Sequence, residues 1–247
     1  MKRESSRLSF FENIHNQFFQ TFVGPGGDRW QQFLVGLGVS FRVLLGALVL
    51  GVALGIIVAI IRTQKDQQRG NRKKPILSVL NAICLVYTTV IRGTPMMVQL
   101  LIMGFVVFSA SRHLILVAIL SLGINSGAYV SEIIRSGIMS IDPGQMEAGR
   151  SLGMNYGTVM KDIIIPQAIK NILPALGNEM ITLFKDTSLV TVIGLADLTK
   201  VAMQVQARTY QAFMPFIGIA VVYLVIVLCM TWVFGRLERR MRRSDRR

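Results

Sequence analysis

Residues 33–61 read FLVGLGVSFRVLLGALVLGVALGIIVAII, an apolar run interrupted by one charged side chain, Arg42. At about 1.5 Å per residue, an α-helix of this length crosses the roughly 30 Å hydrocarbon core of a bilayer and has room to tilt. Its spaced glycines favour close packing against other membrane helices. Arg42 lies in the first third of the run, where its guanidinium either snorkels to the interface or faces a water-filled cavity. The run predicts a membrane-spanning helix.

The composition of the whole chain predicts the same class of protein. Hydrophobic residues make up 52% of the 247 residues, charged residues make up 16%, and the mean hydropathy is +0.51, all outside the range of soluble domains. The net charge of +14 does not indicate a nucleic-acid partner, because Lys and Arg flank the apolar runs, where they encode topology. Cys84 and Cys229 lie in apolar segments, which predicts two small core residues and neither a disulfide framework nor a metal site.

Residues 1–29 form an amphipathic N-terminal segment that lacks the continuous apolar run of a cleaved signal peptide. Its Phe-rich stretch 8–23, followed by GPGG, predicts a short helix in the membrane interface on the extracytoplasmic side. Packing against another part of the protein accounts for the phenylalanines almost as well.

Four further apolar stretches predict the remaining membrane crossings, at residues 76–110, 114–138, 172–193 and 213–234. The first of these contains RGTP at 92–95, where Pro95 removes a helical hydrogen bond and disfavours helix at the preceding residue. We interpret it as one kinked crossing.

Two basic runs orient these crossings. RTQKDQQRGNRKK follows the first span and GRLERRMRRSDRR ends the chain, and the positive-inside rule makes both of them cytoplasmic. Five crossings that start outside also end inside, in agreement with both runs. The sequence therefore predicts an all-α integral membrane protein with about five transmembrane helices, its N-terminus outside and its C-terminus in the cytoplasm.

The polar stretch between the third and fourth crossings predicts a short cytoplasmic helix. Asp142 followed by Pro143 is a helix-start signal, Gln145 and Glu147 fall in the first turns, and Gly153 marks the end. Such a helix is too polar to enter lipid and too short to be a domain. It either docks into a groove of a partner protein or is part of a solvated loop.

At this point the residues resemble a known family. Glu147-Ala148-Gly149, then Gly153, then Ile163-x-Ile165-Pro166 is similar to the EAA loop of bacterial ABC importer permeases, the coupling helix that seats in the ATP-hydrolysing subunit. The chain has Gly149 where the usual pattern has Ala, which loosens the helix by up to about 1 kcal/mol, and Ile165 where it has Leu. The resemblance implies these coupling residues: Gln145, Glu147, Ala148, Gly149, Arg150 and Gly153.

Four more stretches resemble the polar amino acid uptake subfamily. They are IRGTPMMVQLL, INSGAYVSEIIRSGIMSI, IIIPQAIKNILPALGNEMITLFKDTSLV and GLADLT. The resemblance implies a transmembrane domain over residues 30–236, followed by a basic cytoplasmic tail, 237–247, in a multi-pass protein of the bacterial cell membrane. It also implies two ABC ATPase subunits, a second permease subunit, identical or a sister chain, an extracytoplasmic solute-binding protein and an amino acid substrate.

The chain has no G-x-x-x-x-G-K-[ST] phosphate loop. It is therefore expected to be a permease rather than an enzyme and to hold no cofactor. ATP and Mg²⁺ are expected to be bound by the partner ATPases.

Ionisable and polar residues inside the predicted spans indicate a pathway for a polar substrate. Helical spacing puts Asn125, Tyr129 and Glu132 on one face of the third span. It puts Glu179, Thr182 and Asp186 on one face of the fourth, next to Lys185. The candidate pathway residues are Arg92, Asn125, Tyr129, Glu132, Glu179, Thr182, Lys185 and Asp186. Three carboxylates against two cations favour a cationic or neutral amino acid. These side chains equally fit a role in tying helices together or pairing with each other.

Two other classes of protein stay open. An ion-coupled secondary transporter or channel also needs buried carboxylates, although such transporters commonly show two repeated halves, and this chain shows no internal repeat. A sensor or scaffold subunit is a weaker alternative, because nothing in the sequence resembles a signalling domain.

Overall fold

The computed structural model describes residues 12–66 and 75–243, with side chains placed through residue 241. The predictions for residues 8–11, for the basic residues 67–74 and for the last four residues lie outside this part. The helices that build the structure are, in chain order, α1 (Arg29–Asp66), α2 (Pro75–Gly93), α3 (Met96–Ile102), α4 (Leu114–Met139), α5 (Pro143–Ser151), α6 (Tyr156–Val159), α7 (Ile165–Asp186), α8 (Leu198–Thr209) and α9 (Phe213–Arg243).

Several helices continue through short stretches of altered pitch. A π-helical turn, Met103–Val107, extends α3, and another, Met160–Ile164, joins α6 to α7. A 3₁₀ segment, Thr187–Ile193, extends α7. The chain is therefore helical without interruption over Tyr156–Ile193, well beyond the predicted span 172–193.

Four helices in the described part of the chain, α1, α2, α4 and α9, are long and apolar enough to cross a membrane. The helical stretch that ends at Ile193 and helix α8 are bent by 50° relative to each other and give a fifth candidate span. The all-helical membrane fold predicted from the apolar runs is therefore confirmed.

The centre of the fold is the packing of α1 along α4. A Cβ atom placed on Gly51 would lie only 3.0 Å from Cβ of Ser126, so the glycine lets the two helices approach closely. Leu44 of α1, Leu122 of α4 and Phe184 of α7 are fully buried in the main apolar cluster. Gly46, Gly51 and Gly55 of the first apolar run thus lie in close contacts with α4, whereas Gly38 faces open space.

The RGTP motif breaks the second apolar stretch at the predicted place. Helix α2 ends at Gly93, Pro95 is extended with φ −64° and ψ 135°, and α3 begins at the next residue. Because proline has no N–H to donate, the preceding carbonyl groups lose helical partners at this break.

The N-terminal phenylalanines differ in how far they pack against the rest of the protein. The π-helical turn Phe19–Val23 ends at Gly24, which has a left-handed φ of 67°. The ring of Phe22 packs against Phe33 at a centroid distance of 5.2 Å, whereas about half of the surface of Phe18 and of Phe19 is exposed.

The two cysteines differ in their surroundings. Cys84 is buried, as predicted, but Cys229 is exposed on α9, so the prediction of a core residue was wrong there. An apolar helix in a membrane protein presents one face to lipid, and hydropathy alone does not separate that face from the packed one.

Candidate functional site

A polar cavity of about 430 Å³ lies where the α2–α3 break meets α4 and α7. Its volume is in the range of pockets that hold small molecules. Six of the predicted pathway residues line it: Arg92, Asn125, Tyr129, Glu179, Thr182 and Asp186. The helix break contributes the rest of the wall, from Gly93 to Met96.

Gln99 holds the break against α4. Its amide Nε2 donates to the carbonyl oxygen of Ile91 and to Oγ1 of Thr94, each at 2.8 Å, and its Oε1 accepts from Nδ2 of Asn125 at 3.0 Å. Sequence reasoning missed Gln99. The available signal was an amide side chain four residues after Pro95, where the break leaves carbonyl groups that need donors.

The ionisable groups of the cavity are two carboxylates and one guanidinium. Oε1 of Glu179 accepts a hydrogen bond from Oγ of Ser126 at 2.8 Å. The guanidinium of Arg92 lies over the ring of Tyr129, 5.4 Å from its centroid. With Asp186 in the same wall, the lining carries one more negative than positive group when both carboxylates are ionised.

Glu132 lies outside this cavity, contrary to its predicted place with Asn125 and Tyr129. Its carboxylate accepts from Nη1 of Arg62 at 2.7 Å and from Nη2 of Arg135 at 2.5 Å, and Nη1 of Arg92 lies 4.0 Å away. Arg135 also pairs with Asp66 at 2.8 Å. Glu132 therefore belongs to an ion-pair cluster that ties the end of α1 to α4. We call it the α1–α4 ion cluster.

Lys185 is also separate from the polar cavity. Lys185 directly precedes Asp186 on α7, so the two side chains point about 100° apart around the helix axis. Lys185 lines a different cavity, together with Ser188, Thr199 and Tyr223. Adjacent residues on a helix point in different directions, so Lys185 does not share the face of Glu179, Thr182 and Asp186.

Helix α5 has the start and the end that the sequence predicts. Oδ1 of Asp142 accepts a hydrogen bond from the backbone N–H of Gly144 at 2.7 Å, and Pro143 occupies the first turn. Gly153 has a φ of 83°, and its N–H donates to the carbonyl oxygen of Arg150 at 3.0 Å. This left-handed glycine closes the helix.

Most predicted coupling residues lie on the outer face of α5. The side chains of Gln145, Glu147, Ala148 and Arg150 are exposed, and Gly149 is buried. A cavity of about 290 Å³ beside the helix is lined by Glu147, Arg150 and Tyr156, and also by Asp66 at the end of α1. Asp66 thus belongs both to this cavity and to the α1–α4 ion cluster.

Gly149 faces Val159 of α6. A Cβ atom on Gly149 would lie 2.7 Å from Cγ2 of Val159, a distance that real Cβ atoms do not reach. The structure therefore gives a packing reason for the departure from the Ala of the EAA pattern.

We expect Gly149→Ala to destabilise the α5–α6 packing. The added methyl improves helix propensity by up to about 1 kcal/mol, but overpacking a buried contact costs about 1 to 3 kcal/mol. Thermal unfolding of the purified chain, compared across Gly149→Ala, Val159→Ala and the double variant, measures the coupling. The double variant is expected to be more stable than the two single effects predict, and strict additivity would contradict the contact.

Apolar helices that enclose a polar cavity, with a short polar helix at one end, define a membrane permease subunit. The chain belongs to the family described as binding-protein-dependent transport system inner membrane components, whose sequence profile matches residues 51–243. This confirms the resemblance carried by the EAA-like loop, and it makes the chain a permease rather than an enzyme.

Two named relatives are amino acid permease proteins. The chain is 38% identical over 215 residues to the arginine transport system permease protein ArtQ of Bacillus subtilis, covering 86% of this chain and 93% of ArtQ. It is 39% identical over 168 residues to the glutamine transport system permease protein GlnP of Escherichia coli K12, covering 66% and 77%.

Two solved structures resemble the fold. A chain from the crystal structure of an amino acid ABC transporter with histidines superposes with a TM-score of 0.75 at 42% identity, covering 85% of this chain and 94% of that one. A chain of the MetNI methionine ABC transporter in an inward-facing form gives a TM-score of 0.73 at 16% identity, over 86% and 97% of the two chains. The MetNI likeness shows the fold alone.

Proposed function

We propose that this chain is the membrane subunit of an ATP-driven, binding-protein-dependent importer of cationic or neutral polar amino acids. The observation that carries this is the polar cavity, where Glu179 and Asp186 oppose a single guanidinium, that of Arg92. The names of the relatives, which specify arginine and glutamine transport, support the same substrate class. Family membership speaks against the ion-coupled transporter and channel alternatives.

The lining groups can satisfy both ends of an amino acid. An ammonium group needs acceptors, which Glu179 and Asp186 supply, and a carboxylate needs donors, which Arg92 and the amide of Asn125 supply. Thr182 adds a hydroxyl that both donates and accepts. Because the cavity has a surplus carboxylate, a second positive charge on the substrate side chain is favoured over a negative one.

Coupling to ATP hydrolysis is proposed to run through α5. Its exposed outer face docks into a partner ATPase, and Asp66 connects the cavity beside α5 to the α1–α4 ion cluster through Arg135. A displacement of α5 therefore acts on the ends of α1 and α4, and through them on the polar cavity. The proposed assembly has two ATPase chains that bind ATP and Mg²⁺, a second permease subunit and a solute-binding protein.

Purification from the native membrane in mild detergent, followed by reconstitution, tests this function. Copurifying ATPase chains are expected, and ATP hydrolysis is expected to rise when a solute-binding protein loaded with a cationic or neutral polar amino acid is added. Uptake that follows an ion gradient and needs no ATP would instead establish the secondary-transporter alternative.

The proposed topology places the N-terminus and residues 1–29 outside, and residues 62–75, 139–171 and 236–247 in the cytoplasm. Residues 30–236 form the proposed transmembrane domain.

Cysteine labelling tests this topology in a background in which Cys84 and Cys229 are replaced. Leu152 is 82% exposed and is a better labelling position than Gly153, whose left-handed backbone strains any other residue. Leu152→Cys is expected to resist a membrane-impermeant maleimide in intact cells and to react after permeabilisation. Arg112→Cys, in the exposed α3–α4 turn on the proposed outer side, is the matched control and is expected to react without permeabilisation. External labelling at Leu152→Cys would overturn the arrangement.

A further inference from the structure

Helix α9 ends in a surface where basic and apolar side chains alternate, which neither the polar cavity nor the coupling helix uses. Its residues line an open cavity of about 820 Å³: Val233, Arg236, Leu237, Arg239 and Arg240. We call it the α9 basic surface. Its three arginines are exposed, as are Val233 and Leu237.

The length of α9 fixes the depth of this surface. The 31 residues of α9 span about 46 Å, whereas about 20 residues cross the roughly 30 Å hydrocarbon core. Counted from Phe213, the core ends near Trp232, whose ring is 57% exposed. Tryptophan concentrates at the border between hydrocarbon and headgroups, so the arginines that follow lie at headgroup level.

The side chains around Trp232 leave one face of α9 positively charged and exposed. The guanidinium of Arg236 stacks over the ring of Trp232, 4.2 Å from its centroid. The opposite side of α9 is packed, because Phe234 lies against Gly177 of α7. Glu238 is two residues from Arg236, about 200° round the helix, and does not line the cavity. The exposed face is therefore positive, with an apolar floor.

We propose that the α9 basic surface binds an anionic phospholipid of the cytoplasmic leaflet, with the arginines on the headgroup phosphate and Val233 and Leu237 against the first carbons of the acyl chains. Arginine presents a planar fork that matches phosphate oxygens, and the cytoplasmic leaflet carries the negative surface potential. An acidic surface of a cytoplasmic protein matches the charge equally well. The apolar floor beside Trp232 favours lipid, because that part lies at a depth which a water-soluble partner does not reach.

Fluorescence quenching of Trp232 tests this proposal in the full chain. Trp30→Phe leaves Trp232 as the only tryptophan, and the protein is reconstituted in phosphatidylcholine vesicles that contain a small fraction of either brominated phosphatidylglycerol or brominated phosphatidylcholine. At equal mole fraction, phosphatidylglycerol is expected to quench Trp232 several-fold more strongly. Each arginine near an anionic surface strengthens binding roughly five-fold, so the triple replacement Arg236→Gln, Arg239→Gln and Arg240→Gln is expected to abolish the excess.

Two controls separate lipid binding from other causes. Lys at the same three positions keeps the charge and is expected to retain most of the excess quenching, and high salt is expected to remove it by screening. Equal quenching by the two lipids, or an excess that survives the triple Gln replacement, would overturn the proposal. Loss of copurifying ATPase chains in the triple Gln variant, with the lipid preference unchanged, would assign the surface to a protein partner instead.

Discussion

Glu147→Lys is expected to stop transport while leaving the permease folded and assembled with its ATPase partners. Glu147 is exposed on the outer face of α5 and lines the cavity that also contains Asp66. A carboxylate there can accept charge-assisted hydrogen bonds from the ATPase, which are worth about 1.5 to 3 kcal/mol. Lysine removes these bonds and adds a like charge opposite the same donors. Transport driven by ATP should fall roughly 10- to 100-fold or more in reconstituted vesicles.

The matched control is Asp162→Lys, which makes the same change of charge on an exposed residue of the same proposed cytoplasmic segment, away from α5. It is expected to transport nearly as the wild type does. Glu147→Gln keeps the shape and loses the charge, so it should fall between the two. Normal transport by an assembled Glu147→Lys complex would show that this residue has no role in coupling.

The helices could be predicted from sequence because their signals are local. Helix α4 begins at Leu114, as its apolar run predicts, and α5 follows the Asp142-Pro143 start signal and ends before the left-handed Gly153. The break at Pro95 has an equally local cause. The helical stretch Tyr156–Ile193 begins well before the predicted span 172–193 and ends with it, because an amphipathic helix does not have to begin where the lipid begins.

The arrangement of charges was harder to predict because it depends on how distant helices pack. Helical spacing groups Asn125 and Tyr129, which both line the cavity, and Glu132 follows on the same face about 4.5 Å beyond Tyr129 along α4. Beside Glu132 lies the end of α1, whose Arg62 donates to the carboxylate although the two residues are 70 positions apart in the chain. One turn of helix therefore separates the wall of the cavity from the α1–α4 ion cluster, and spacing alone does not show the change.

The surplus negative charge that favours a cationic or neutral substrate comes from fewer groups than the sequence predicts. Sequence reasoning counted three carboxylates against two cations, whereas the cavity itself contains Glu179 and Asp186 against Arg92. Glu132 is compensated by Arg62 and Arg135, and Lys185 lies on another cavity. The surplus of one carboxylate is the same, but it now comes from groups that line one cavity.

Glu179→Gln is expected to discriminate between substrates by charge. The replacement preserves the size of the side chain, and its amide oxygen still accepts from Oγ of Ser126. It leaves one carboxylate, that of Asp186, against the guanidinium of Arg92, so the lining loses its negative surplus. Uptake of a cationic amino acid should weaken roughly 10- to 100-fold, the range for a lost hydrogen bond to a charged group. Uptake of a neutral polar amino acid should weaken by no more than about threefold, because Asp186 still accepts from the ammonium group that both substrates carry.

The comparison requires both substrates to be measured on the same reconstituted complex, so that a loss of assembly affects both equally. Ser126→Ala is the matched control, because it removes the hydrogen bond to Glu179 and keeps the charge. Ser126→Ala changes only the position of the carboxylate, so it should lower uptake of both substrates by similar, small factors. Equal losses for the two substrates in Glu179→Gln, or strong uptake of glutamate by the unmodified protein, would remove the charge basis for the substrate class. A selective loss of the cationic substrate indicates that the carboxylate of Glu179 acts on the charge of the transported molecule, since the size of the side chain and its hydrogen bond from Ser126 are kept and any loss of assembly affects both substrates.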